Sequence, residues 1–103
     1  MATLHTVNKS PFERNSLDTC LSLCNSDGSI LLIEDGVVAA LSDTSVSERL
    51  LKAIESGIKI FALGEDLEAR GLPEDRVIDR ITVIDYPGFV KLTTENDRVQ
   101  NWL

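Results

Sequence analysis

The stretch that most restricts the fold is Ile30-Leu31-Leu32-Ile33, within Ser29–Leu41, SILLIEDGVVAAL. Four consecutive apolar residues leave no polar face for water. A short run of this kind between turn-forming residues suits a strand covered on both faces, as in a parallel sheet under helices. Glu34-Asp35-Gly36 interrupts the run, and Val37-Val38-Ala39-Ala40-Leu41 resumes it at once with small side chains. A buried strand, a tight acidic turn and a second apolar segment make a central βα unit. Glu34 and Asp35 either solvate the turn and favour the positive end of the next helix, or line a functional loop at a strand carboxyl end.

The remaining segments alternate in the same way. Thr3–Val7 (TLHTV) reads as a first strand, ended by Asn8-Lys9-Ser10-Pro11. Ser16 is a good helix N-cap, and Leu17, Cys20, Leu21 and Cys24 follow at i, i+3, i+4 and i+7, one face of an amphipathic helix. Asn25–Gly28 stops it. After the central unit, Ser45 and Glu48 form an S-x-x-E capping box for a helix through Ile54, with Gly57 at its C-terminal end. Ile58–Leu63 is the third strand. A short helix runs from Gly64 to Arg70, Leu72–Asp75 turns, and Ile81–Asp85 is the fourth strand. Pro87 opens a last helix carrying Phe89, Val90 and Leu92. Val99–Leu103 is too apolar for a loose tail and either adds an edge strand or docks on a partner. The pattern predicts a three-layer α/β/α domain over residues 1–103, with a small parallel sheet of four to five strands and helices on both faces.

Composition excludes several functions. Seventeen acidic against ten basic residues give a net charge of −7, spread along the chain. Phosphate neutralisation needs clustered Lys and Arg, so direct nucleic-acid binding by this chain alone is not expected. No apolar run reaches membrane-spanning length, and the first residues do not read as a signal peptide, so the expectation is a cytoplasmic protein. Two cysteines are too few for a disulfide scaffold. One histidine and no CxxC pair are too few for a structural zinc site. No GxGxxG or Walker A sequence offers a phosphate cradle, so no cofactor is expected.

Candidate chemistry lies at the strand carboxyl ends, Asn8-Lys9-Ser10, Glu34-Asp35, Gly64-Glu65-Asp66 and Asp85-Tyr86, and at the two thiols. An exposed thiolate can carry sulfur as a persulfide. Cys20 and Cys24 lie one helical turn apart, with Cβ atoms about 5–6 Å from each other, too far for an easy disulfide. Their place on the apolar stripe equally suits two buried packing groups. His5, in the first strand, suits a core or interface imidazole better than a general base. Trp102 suits an interface anchor or ordinary intrachain packing.

Leu4-His5-Thr6, Ser10-Pro11, Glu34-Asp35-Gly36-Val37, Ala62-Leu63 with Glu65-Asp66-Leu67 and Ala69-Arg70-Gly71, Asp85-Tyr86, Phe89-Val90 with Leu92-Thr93, and Trp102-Leu103 together resemble the DsrH/TusB family, in the same order over essentially the whole chain. The block Leu4–Leu17 looks closer to the DsrH branch than to the TusB branch. The resemblance implies a five-stranded parallel sheet between helices and a heterohexamer with DsrE/TusD-like and DsrF/TusC-like subunits. It implies relay of persulfide sulfur to a DsrC/TusE-like acceptor, with the principal sulfur-carrying cysteine on the DsrE/TusD-like partner. On the DsrH branch the pathway is intracellular sulfur oxidation. The alternatives are a TusB-type role in 2-thiolation of the tRNA wobble uridine and a purely structural subunit without thiol chemistry. The resemblance makes Cys20 the candidate persulfide carrier. Trp102, Leu103 and His5 are the candidate interface residues.

Overall fold

The computed structural model describes residues 2–103. Five strands form one parallel sheet: β1 (Thr3–Val7), β2 (Ser29–Leu32), β3 (Lys59–Leu63), β4 (Thr82–Ile84) and β5 (Arg98–Trp102), in the order β4-β3-β2-β1-β5. The expected parallel α/β architecture is therefore present, and the terminal segment is an edge strand. Helix α1 (Ser16–Leu23) joins β1 to β2, α2 (Ser47–Glu55) joins β2 to β3, and α3 (Gly64–Ala69) joins β3 to β4. These three connections step the same way across the sheet, so right-handed crossovers put all three helices on one face. Only α4 (Tyr86–Glu95), which returns from β4 to β5 across the whole sheet, lies on the other.

The core follows this asymmetry. Val7, Ile30, Leu32, Ile60 and Ala62 alternate onto the three-helix face and pack with Leu17 and Cys20 of α1, Leu50 of α2 and Leu67 of α3. Leu4, Leu31 and Leu63 point to the α4 face and are also buried. All four residues of β2, the central strand, are buried, as its apolar run requires.

Three local features differ from expectation. The second apolar segment of the central unit is a 3₁₀ helix over Glu34–Ala40. Its buried residues are Gly36, Val37, Ala39 and Ala40, two pairs three apart, and three residues per turn stack such pairs on one side. A Cβ on Gly36 stands 2.1 Å from the Val7 carbonyl oxygen, so only glycine lets this segment lie against the end of β1. Helix α2 starts at Ser47 rather than after Ser45, because a turn with Asp43 at φ 61° shifts the capping groups. Ser47 Oγ accepts from Thr44 N–H at 3.0 Å and Thr44 Oγ1 accepts from Val46 N–H at 3.3 Å. Ser16 caps nothing: its hydroxyl donates to the Leu103 carbonyl at 3.0 Å, tying α1 to the end of β5.

Candidate functional site

A parallel sheet gathers its strand carboxyl ends on one edge, so the four candidate loops meet there. Their acidic side chains serve mainly as acceptors for neighbouring backbone. Asp66 Oδ2 accepts from the Glu34 N–H at 2.6 Å, and Glu65 Oε2 accepts from the Tyr86 N–H at 3.2 Å. Asp85 Oδ1 accepts from the Gly88 N–H at 2.9 Å and caps α4. Arg70 donates to Asp35 Oδ1 from Nε at 3.1 Å and from Nη2 at 2.9 Å, and stands 3.7 Å from Asp66. The Glu34-Asp35 and Asp85-Tyr86 loops are thus tied to the segment 64–70 between them. The Glu34 backbone, at φ 50°, is held in the left-handed region beside the Asp66 contact. Asn8 Oδ1 and Glu65 Oε1 are buried without a protein partner.

The two thiols have different surroundings, and both are free. Cys20 has 0% exposure and packs with the sheet under α1. Burial, followed by the nearby Cys24 thiol, pushes its pKa up to about 12. Burial disfavours the thiolate and closes the sulfur to solvent, so the geometry opposes persulfide chemistry at Cys20 and matches a small packing group. Cys24, at the end of α1, is half-buried, and burial together with the Asp27 carboxylate raises its pKa as well. Among the described residues, every contribution to the two thiol pKa values is a raising one, so neither is disposed to the thiolate.

The candidate interface residues lie at the β5 edge. Trp102 Nε1 donates to His5 Nδ1 at 3.0 Å, with the rings 6.1 Å apart and tilted by 35°. That bond fixes the neutral imidazole with its proton on Nε2, and burial lowers the His5 pKa. His5 lies beneath Trp102 and supports it. Trp102 is half-buried against the core, whereas Leu103 is 77% exposed. On the opposite face Thr6 Oγ1 donates to Asn101 Oδ1. Among the described residues, no three His, Cys, Asp or Glu side chains converge to hold a metal.

A family profile described as "DsrH like protein" matches residues 9–99. The protein TusB of Erwinia tasmaniensis is 41% identical over 99 residues, covering 96% of this chain and 99% of that protein. TusB of Photorhabdus laumondii is 38% identical over the same span and coverage. The chain belongs to the DsrH/TusB family. The fold of this DsrH/TusB protein is also that of the YchN protein of E. coli, with a TM-score of 0.81 at 19% identity, covering 98% of this chain and 99% of YchN. The two curated relatives carry the TusB name, so the expected leaning toward the DsrH branch finds no support in them.

The strand-end acids were legible as candidates in the sequence. Their use as backbone acceptors was not, because it depends on which loops the strand order sets side by side. The His5–Trp102 bond spans 97 residues, and only the parallel pairing of β1 with β5 brings the two rings together.

Proposed function

We propose that this protein is a TusB-type subunit of a cytoplasmic sulfur relay complex, acting with TusC/DsrF-like and TusD/DsrE-like subunits and passing persulfide sulfur toward a TusE/DsrC-like acceptor. The relay then serves 2-thiolation of the tRNA wobble uridine. The observation that carries this reading is the 41% identity to a TusB protein across nearly the whole of both chains. The subunit contributes surface rather than a sulfur-carrying thiol. In support, Cys20 is sealed in the core with its pKa pushed up to about 12, and the strand-end acids are engaged with neighbouring backbone. The β5 edge, with Trp102 and the exposed Leu103, is the assembly surface.

The test is deletion of the gene in its own cell, with 2-thiouridine in tRNA measured by mass spectrometry. The expected result is loss of the modified base, restored equally by the natural chain and by a Cys20→Ala, Cys24→Ser variant that folds by circular dichroism. Rescue by the natural chain alone would return Cys20 or Cys24 to the sulfur path. Unchanged thiouridine with impaired oxidation of stored sulfur would move the assignment to the DsrH-type role.

A further inference from the structure

The His5–Trp102 bond leaves one donor unused. Trp102 Nε1 occupies Nδ1 of His5, so the imidazole carries its proton on Nε2. His5 is only 8% exposed, yet that N–H has no hydrogen-bond partner among the described residues. It is not sealed away either, because His5 lines an open cavity of about 590 Å³ beside the end of α1.

Strand register assembles the rest of the cavity. Thr3 and His5 share the face of β1 on which Val7 is buried under α1, and Arg98 and Gln100 share the corresponding face of β5 with Trp102. Arg98 stands beside Thr3, and Gln100 beside His5. With strands about 4.8 Å apart and alternate residues about 6.6 Å apart, the four side chains occupy the corners of one small rectangle. A guanidinium, an imidazole N–H, a hydroxyl and an amide meet there, and all four can donate. Leu23, 63% exposed, and the indole of Trp102 add apolar wall.

Charge narrows the ligand. The chain carries −7, yet among the described residues no carboxylate lines this cavity. Arg98 is the charged group that lines it, and it has no ion-pair partner among the described residues. The adjoining Asp97 carboxylate accepts from the Ala2 N–H at 3.0 Å. One planar cation matches one planar monoanion, whereas a dianion would add uncompensated charge to an acidic chain. The apolar wall calls for an apolar body behind the anion.

We propose that this cavity binds a small organic monocarboxylate, its carboxylate held by Arg98 and the His5 Nε2–H and its apolar body laid against Leu23 and Trp102. Gln100 and Thr3 donate to the remaining lone pairs. The site lies on the α1-side face of β5, not on the outward hydrogen-bonding edge of that strand, and it does not rest on the sulfur-relay reading.

The only histidine and the only tryptophan of the chain report on the site directly. Phenylacetate titrated into the full chain at neutral pH is expected to shift the Trp102 fluorescence and the His5 Nε2 nitrogen resonance together and saturably, with a Kd on the order of 1 mM. Phenylacetamide keeps the body without the charge, and acetate keeps the charge without the body. Each is expected to bind about tenfold more weakly or worse, and the dianion phenyl phosphate is expected to bind more weakly than phenylacetate. Arg98→Met lies on the surface, so it is expected to fold normally and to lose about tenfold in phenylacetate affinity. Arg98→Lys, which keeps the charge but not the fork, is expected to fall between the two. Absence of saturable binding overturns the proposal. So does equal binding of phenylacetamide, tighter binding of phenyl phosphate, an unmoved His5 resonance at saturation, or natural affinity in a folded Arg98→Met. If Arg98→Met loses its circular-dichroism signal, the comparison of phenylacetate with phenylacetamide decides.

Discussion

His5 and Trp102 are the only histidine and the only tryptophan in the chain, and they bond to each other. The imidazole accepts through Nδ1, so a proton there removes the acceptor. Burial lowers the folded pKa below its ordinary value of 6.5, and the unfolded chain therefore takes up this proton first. The contribution of this pair is full above about pH 6.5 and is lost progressively as the pH falls from there toward the folded pKa. Urea midpoints followed by the single tryptophan are expected to fall across that window, and His5→Gln is expected to flatten that part of the slope. Cys20 gives a second expectation. With its pKa pushed up to about 12, it is expected to resist alkylation in the native chain at neutral pH and to react only after unfolding, while Cys24 reacts first. Cys20→Ser buries a hydroxyl in an apolar site and is expected to cost about 1–3 kcal/mol, read from the shift in urea midpoint. The burial of Cys20 was legible in its spacing with Leu17, Leu21 and Cys24. The partnership of His5 with Trp102 was not, since nothing local in either segment encodes the other.

The elements divide by how locally their signals act. The strands were readable because each is a short apolar run set between Gly, Pro or Asn/Asp clusters. Their ends differ by a residue, as at Ile33, Ile58 and Ile81, whose side chains are buried or half-buried although they lie just outside the strands. Capping was harder to read. The Ser45–Glu48 pair has the sequence of a capping box, yet Thr44 and Ser47 make the bonds, because the backbone turn at Asp43 decides which hydroxyl reaches which N–H. At α4 the local signal succeeded: Pro87 occupies the first turn, and Asp85 caps it through Gly88 N–H. Asp85→Ala is expected to cost about 1 kcal/mol. Because α4 contains no fully buried residue, the loss is expected to appear first as faster amide exchange confined to the start of that helix. The 3₁₀ segment carried no usable periodicity in sequence, and its form follows from the close approach of Gly36 to Val7. Gly36→Ala is expected to force the two backbones apart and to lower the urea midpoint by an amount equivalent to about 1–3 kcal/mol.

At the scale of the whole molecule, alternation of strand and helix was enough to specify a parallel sheet. The order β4-β3-β2-β1-β5 was beyond local reading, and it has the larger consequence. Three successive steps in one direction load one face with α1, the 3₁₀ segment, α2 and α3, and one long return leaves α4 alone on the other. The thick face holds Val7, Ile30, Leu32, Ile60 and Ala62 under fully covered helical residues. The thin face buries Leu4 and Leu31 but leaves Phe61, Ile84, Phe89 and Leu92 half-covered and Tyr86 and Val90 exposed. Apolar area removed from water is the main source of cohesion, so the two faces are not equally tied to the sheet. Native-state hydrogen exchange is expected to resolve this as two levels. Amides of β1, β2, β3 and α1 are expected to exchange only through global unfolding, with a shared dependence on urea. Amides of α4 are expected to open at a lower free energy and with a smaller urea dependence, since its release exposes little buried surface. Exchange of α4 together with β2 at every urea concentration would mean that the single helix is bound as firmly as the other three, and that the asymmetry of coverage has no energetic counterpart.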